Sequence, residues 1–496
     1  MPGTSRIGIT VTDTGLPHHD PLDLYVHLRE LLPVQDVFLF ESVDGAARDR
    51  RSAVVGFGRL AEIRVYDGYV EIDGAGPLVL ALAQEAESLG MTAEHPAGSD
   101  VRGYRFTGPD RVWGLLSRAQ ALFAVDTRIP ATSYAFGFLT TLAYESAWHM
   151  EELPDRTKVP RGPDITLTLF RDTVWYDLSS GRVRRLTARS DAFADARVAV
   201  DVAALARRPG PAVPEAPAPL SVHDSVDRET FMDWADRCLA HIGVGDIYQI
   251  QIGHRLDVRS ALTPVEVYRR LRERNPSPYM YLMPRADSVL IGASPELFFR
   301  VEGDTIEMRP IAGTARRGTD EEENQRRVKE MRESTKEQAE HIMLVDLCRN
   351  DIGRVARPST QPVDRLMAVE SFSHVFHLVS TVTGRLQDGL DTWQVVRATF
   401  PAGTMTGAPK VRAMEIIDGL EEQRRGSYAG AVGLVDVRGW SELALCIRTI
   451  EYDGSTYSTQ SSAGIVAQSE PAAEWRETLA KMGAAYWALT GEELLS

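Results

Sequence analysis

Cysteine is scarce: the 496 residues hold three, Cys238, Cys348 and Cys446, with no CxxC spacing and no neighbouring His pair. That excludes a disulfide framework and a thiolate zinc site, and it predicts reduced, buried thiols. Long apolar runs are missing as well. Leu78 to Ala83 is far too short to span a bilayer, and the opening MPGTSRIGITVTDTGLPHHD lacks the basic segment and apolar core of a signal peptide. A cytoplasmic protein with no membrane partner is expected. Basic charge is in deficit, 55 Lys+Arg against 70 Asp+Glu for a formal net charge of −15, and no segregated basic patch appears. The summed field repels phosphate backbones, so nucleic acid is not an expected partner. Neither GxGxxG nor GxxxxGK[ST] occurs, so no nucleotide cofactor is indicated.

What remains is the composition of a soluble globular chain, 43% apolar and 25% charged. Five prolines between Arg207 and Leu220 form a semi-rigid linker without apolar periodicity. It divides the chain into an N-terminal region 1–206, the linker 207–220 and a larger region 221–496. In the first, AEIRVYDGYVEIDG alternates about Asp67-Gly68 as a hairpin does, and DITLTLFRDTVWYD alternates likewise. The second mixes short strand-like runs such as SVLIGA and LFFRVEG with helical patterns at RETFMDWADRCLAHI, EENQRRVKEMRESTKEQAEHIMLVDLCR and SEPAAEWRETLAKMGAAYWAL. The predicted fold class is α/β in the α+β sense, with antiparallel sheets flanked by helices.

Two carboxylate pairs stand out. Glu337 and Glu340 share a helix face just before the apolar HIMLVDL, and Glu474 and Glu477 repeat the spacing on a helix that Ser469 could cap and Pro471 could start. Alone, each pair reads as a solvated face. If the faces meet, four carboxylates in one cleft require a divalent cation or protonation, and oxygen-only donors suit Mg²⁺. Gly-rich turns at IGASPE, RPIAGTARRG, FPAGTMTGAPK and SSAGIVAQS are individually weak signals of anion-binding backbone.

The order of motifs GDIYQIQIGHR, NPSPYMYLM, SPELFFR, RPIAGTARRG, AEHIMLVDLCRNDIGR, SHVFHLVSTV, FPAGTMTGAPKVRAMEII, IRT and AGIVAQSEPAAEWRET, from Asp227 to Leu489, resembles that of the chorismate-utilising enzymes. The likeness is greatest to the large component of anthranilate synthase and its paralogue, 2-amino-4-deoxychorismate (2-amino-2-deoxyisochorismate) synthase. The N-terminal region matches more loosely through FLFES. The resemblance implies that family's chorismate-binding fold, a sandwich of antiparallel sheets with helices outside. It also implies Mg²⁺ held by Glu340 and Glu477, with Glu337 and Glu474 behind them, anchoring the ring carboxylate of chorismate. Tyr428 and Arg448, with the Gly464 backbone N–H, match the group that binds the enolpyruvyl carboxylate, a task an Arg fork suits. Glu296 matches the acid that protonates the hydroxyl leaving ring carbon 4, which needs a raised pKa. His377 matches the histidine near the ring, and Thr314 and Thr404 match hydroxyls lining the pocket.

Two positions select the chemistry. Water-adding relatives have Lys at Gln249; Gln cannot take a proton, so ammonia, already a nucleophile, is the implied reactant. Relatives that aminate ring carbon 4 have a nucleophilic Lys where this chain has Ala312, which leaves ring carbon 2. No Cys nucleophile elbow is present, so the resemblance implies ammonia from a separate glutamine amidotransferase subunit, in an oligomer with it. Anthranilate plus pyruvate is the leading expected product. Release of the aminated intermediate for specialised metabolism is the alternative, and a non-catalytic binding paralogue is a remote third. Departures from the family pattern are local. Glu41, Ser42, Asn275, Pro276, Tyr279 and Met280 match a tryptophan site, but RRSAVVG replaces its RYS segment, so feedback inhibition is not expected. Ser462 replaces the first Gly of GAGIV, and Glu442 stands where Asp is usual.

Overall fold

The computed structural model describes residues 6–94, 101–194, 200–358, 360, 363–371 and 375–495. Its 24 strands form one hydrogen-bonded network among these residues, antiparallel except where Ile7–Leu16 lies parallel to Phe123–Asp126. Two long strands, Ser52–Tyr66 and Ile165–Asp177, pair along their length, and an arm of the network leaves from each. One arm runs through Val37–Glu41, Tyr279–Arg285, Ser288–Ser294, Thr449–Tyr452 and Tyr457–Ile465 to Gln249–Arg259. The other runs through Gly137–Leu142, Ala431–Asp436, Ser441–Leu445, Leu297–Glu302 and Thr305–Met308 to Val375–Arg385.

The two-residue period of a strand sets the layers. Tyr281 and Met283 pack inward with Phe299, Val432, Leu443 and Leu445 of the opposite arm. Met280, Leu282, Val289 and Ile291 face outward, beneath Leu24, Leu28, Tyr268, Leu271, Met482 and Leu489 of the helices Pro21–Arg29, Pro264–Arg274 and Pro471–Thr490. Each such side chain taken from water contributes about 1.5–3 kcal/mol. The result is the expected sandwich of antiparallel sheets with helices outside. Strands from both sides of 207–220 pair with each other, Val37–Glu41 with Tyr279–Arg285 and Gly137–Leu142 with Ala431–Asp436. The Pro-rich stretch carries neither helix nor strand over 209–219, and it is tied down where Arg269 and Arg270 donate to the carbonyls of Pro211 (2.6 Å) and Pro214 (2.9 Å).

The Asp67-Gly68 hairpin forms as expected, with Gly68 at φ +70°. The long helical pattern after Glu321 instead splits into Glu321–Glu333 and Thr335–Gly353, because the Ser334 hydroxyl accepts from the Glu337 N–H and caps a new helix. Ser469 does not cap the last helix. Pro471 starts it, but Glu470 occupies the cap, while the Ser469 hydroxyl accepts from Val466 N–H (3.1 Å) and steadies the loop beside Gly464. All three cysteines are buried and unbridged, and no helix among the described residues is long and apolar enough to cross a membrane.

Candidate active site

Glu296 lies in the turn between Ser288–Ser294 and Leu297–Glu302 and is 9% exposed. Burial pushes its carboxyl up to about 8, against the opposing pull of Arg448, the Thr404 hydroxyl and Lys481. A carboxyl in that state holds a proton at neutral pH, which is what a general acid requires. Arg448 sits between two strands with its backbone in the left-handed region, φ +52°, a conformation that costs an Arg about 1–3 kcal/mol. Its carbonyl accepts from the Ala293 N–H at 3.1 Å, which ties it to the strand leading to Glu296. Burial lowers the Arg448 pKa, and Tyr428, Glu477 and Glu296 act on it in the opposite direction.

His377 is positioned by a β-bulge. Ala312 pairs with Leu378 and Thr314 with His377, so Gly313, at φ +65°, is the extra residue. The bulge turns the Gly313 carbonyl to His377 Nδ1 at 2.9 Å, with Thr314 Oγ1 at 3.2 Å. A carbonyl only accepts, so Nδ1 carries the proton and the neutral ring has its lone pair on Nε2. Burial depresses the His377 pKa, the Gly313 carbonyl opposes this, and the Arg448 charge adds to it. The ring is therefore poised as a base.

Tyr428 donates or accepts at 2.6 Å with Ser462 Oγ, and Ser462 Oγ donates to Gln251 Oε1 at 2.9 Å. Gln251 pairs with Gly464 across adjacent strands, and a Cβ on Gly464 would come within 2.9 Å of Gln251 Nε2, so a larger residue there would push that amide aside. Gln249 begins the same strand; it is 2% exposed and its Oε1 has no hydrogen-bond partner among the described residues. A buried unpaired carbonyl costs about 1–3 kcal/mol, which a small donor entering there would recover.

The carboxylate pairs lie on two helices that flank this cluster. On Thr335–Gly353, Glu337 reaches Gly313, where a Cβ would lie 3.2 Å from its Oε2, and Cys348 lies within electrostatic reach of Glu296. On Pro471–Thr490, Glu474 is buried, and Glu477 pairs with Lys481 at 2.6 Å. Lys481 also donates to the Ser462 carbonyl at 2.9 Å. Sequence reading missed Lys481 and Gln251. The first was legible as an i,i+4 partner of Glu477; the second had no local signal. Among the described residues no three His, Cys, Asp or Glu side chains converge closely enough to hold a cation by themselves.

Of the residues matched to a tryptophan site, Glu41, Ser42, Tyr279 and Met280 line one cavity with Trp175, Trp440 and Glu442, whereas Asn275 and Pro276 do not line it. Its volume is 40 Å³. Ligand sites start near ~300 Å³.

Residues 80–486 match the family of chorismate binding enzymes, and the chain belongs to it. Over 479 residues the chain is 47% identical to the 2-amino-4-deoxychorismate synthase of Streptomyces globisporus, covering 96% of this chain and 95% of that one. It is 42% identical over 393 residues to anthranilate synthase component 1 of Streptomyces coelicolor, 76% of each chain. The crystal structure of anthranilate synthase component I from Streptococcus pneumoniae aligns with a TM-score of 0.66 at 27% identity, over 88% of this chain and 92% of that one.

Proposed function

We propose that the protein aminates chorismate at ring carbon 2 and releases the aminated, non-aromatic product, 2-amino-4-deoxychorismate. The observation that carries the amination is Glu296, buried beside Arg448, its carboxyl pushed up to about 8 by that burial. Glu296 gives its proton to the hydroxyl departing from ring carbon 4 as water. The electron pair of ammonia forms the bond at ring carbon 2, both ring double bonds shift, the first to between carbons 1 and 6 and the second to between carbons 4 and 5 as the carbon 4–oxygen bond breaks, and a proton from the new ammonium restores Glu296. The unpaired Oε1 of Gln249 accepts an N–H of the entering ammonia, and Gln cannot activate water in its place. Arg448, Tyr428 and the Gly464 backbone bind the enolpyruvyl carboxylate, with Ala312, Thr314 and Thr404 lining the pocket. The near full-length likeness to a 2-amino-4-deoxychorismate synthase supports release of the intermediate. The neutral His377, a competent base for aromatisation, supports anthranilate as the second reading.

The donor set suits Mg²⁺, which keeps waters and takes one or two protein carboxylates together with substrate oxygens. Glu340 and Glu477 would hold it, with Glu337 and Glu474 behind. When bound it supplies positive charge to the ring carboxylate. Ammonia would come from a separate glutamine amidotransferase subunit in the cytoplasm, as the name component 1 of the relatives suggests.

The test is mass spectrometry of chorismate, Mg²⁺ and ammonium with the purified chain. A non-aromatic aminated product retaining the enolpyruvyl group supports the proposal. Anthranilate with stoichiometric pyruvate favours the second reading, and isochorismate overturns both. Glutamine should serve only after an amidotransferase subunit is added.

A further inference from the structure

Arg425 lies in the turn between the helix Lys410–Leu420 and the strand Ala431–Asp436, and it is 2% exposed. A guanidinium only donates, so the direction of each of its hydrogen bonds is fixed. Nε and one terminal nitrogen form a fork on the two carboxylate oxygens of Glu421, at 2.8 and 2.6 Å. The terminal nitrogens also donate to the carbonyls of Gln251 (2.7 Å) and Met405 (3.0 Å), which ties the side chain to the strand Gln249–Arg259 and to the turn Gly403–Met405. Glu421 is anchored in turn by the Gly253 N–H at 3.0 Å. The N-terminal region completes the support. Glu145 accepts from the backbone N–H of Arg425 (2.9 Å) and of Gly426 (3.1 Å), and the Tyr144 ring lies 4.7 Å from the guanidinium. The guanidinium is also 5.8 Å from the ring of Tyr428, whose backbone N–H donates to the Arg425 carbonyl at 3.2 Å.

We propose that Arg425 is a positioning residue for chorismate binding: held by Glu421, it sets the ring of Tyr428 and strengthens its hydroxyl as a donor to the enolpyruvyl carboxylate. The inference rests on the reading of the site given above, in which Tyr428 and Arg448 bind that group. A positive charge beside a phenol favours release of its proton. Burial pushes the Tyr428 hydroxyl up, and the Arg425 charge is the largest influence opposing it, with Glu421 acting the other way by less. A phenol that shares its proton more readily makes a stronger hydrogen bond to an anion. A hydroxyl rotates to suit its acceptor, so the bond to Ser462 leaves that proton available to the carboxylate. The effect belongs to binding and not to the chemical step. The enolpyruvyl group takes no part in the amination, so its carboxylate is held equally in the ground and transition states, and what Arg425 adds through Tyr428 is uniform binding. Lys does not replace it, because one ammonium cannot span Glu421, Gln251 and Met405 as the planar fork does.

The experiment is a double-mutant cycle on the KM for chorismate, measured with Mg²⁺ and saturating ammonium. Tyr428→Phe, which keeps the ring and removes the hydroxyl, should raise KM by about 10–100-fold, the worth of a hydrogen bond to a charged group. Arg425→Lys should raise KM by about tenfold and leave kcat within about threefold, as loss of uniform binding does. In the Tyr428→Phe background Arg425→Lys should leave KM unchanged, because the hydroxyl it acts through is gone. A cation that served the fold alone would show no such coupling. If Tyr428→Phe raises KM while Arg425→Lys leaves it unchanged, or raises it by the same factor in both backgrounds, the proposal is overturned and the reading of the site stands. If Tyr428→Phe itself leaves KM unchanged, the assignment of Tyr428 to the carboxylate and the proposal fall together. Should Arg425→Lys not fold, the neutral pair Arg425→Gln with Glu421→Gln, which buries no unmatched charge, decides by the same cycle.

Discussion

The cluster around Glu296 and the cavity behind Glu41 are built from the same kinds of side chain, yet they have used them oppositely. The acids lining the cavity, and Asp49 beside it, are answered from within. Glu41, 3% exposed, accepts from Tyr268 (2.7 Å) and Arg272 (2.8 Å); Asp49 accepts from Tyr279 (2.9 Å) and Arg309; Glu442 accepts from Arg300 at 2.5 Å. Its remaining space is filled by the chain's own rings, Trp175 stacked on Tyr134 at 5.9 Å and Trp440 set edge-on to Trp175 at 5.9 Å. At the Glu296 cluster the Gln249 carbonyl is unpaired and the acid is raised mainly by burial. Polar capacity left open is capacity for a ligand, while capacity consumed by neighbours serves the fold.

The largest contrast is chemical. Glu296→Gln should lower chorismate consumption by roughly 10²–10⁴-fold, the usual worth of a general acid, with the fold retained by circular dichroism. The pH dependence follows from the same carboxyl. Its folded value, about 8, lies above the ordinary 4.5, so the native chain keeps a proton that the unfolded chain releases between those values. Stability should therefore fall as pH rises through that window, and Glu296→Gln should remove that dependence. Measured at constant free ammonia, kcat/KM should fall by about tenfold per pH unit above the folded value. A flat profile would remove Glu296 from the role of acid.

At the other region the expected effect is on stability. Asp49→Ala removes one of the two carboxylates paired with buried Arg309, Glu370 remaining, and should cost about 1–3 kcal/mol in denaturant unfolding, with the product unchanged. A variant that keeps its stability but alters turnover would show the cavity coupled to chemistry. The smallest effect concerns tryptophan. With 40 Å³ available, millimolar tryptophan should leave the rate unchanged. Micromolar inhibition would show that the indoles of Trp175 and Trp440 move aside and that the two regions are less different than their packing implies.

Much of the frame was legible because its signals are local. Alternation identified Ile165–Asp177, Asp67-Gly68 marked its hairpin, and the spacing of Glu337 with Glu340 and Glu474 with Glu477 gave two helix faces. Ser334 shows the limit: a cap that divides one helical pattern depends on a single hydroxyl, and the surrounding periodicity masked it. Tyr428, Arg448 and His377 had no signal of their own; each looks like an ordinary strand or core residue, and only the order of motifs across the chain singled them out.

By itself the sequence determined most of the elements and the donor chemistry of the acids, because these depend on residue type and short-range spacing. The tertiary structure decided the rest: the bulge at Gly313 that fixes the His377 tautomer, the left-handed backbone of Arg448, the raised pKa of Glu296, the hydrogen-bonded chain of Tyr428, Ser462 and Gln251, and the filling of the Glu41 cavity. Each depends on burial or on a partner brought from a distant part of the chain, and desolvation and hydrogen-bond direction exist only once those partners are in contact.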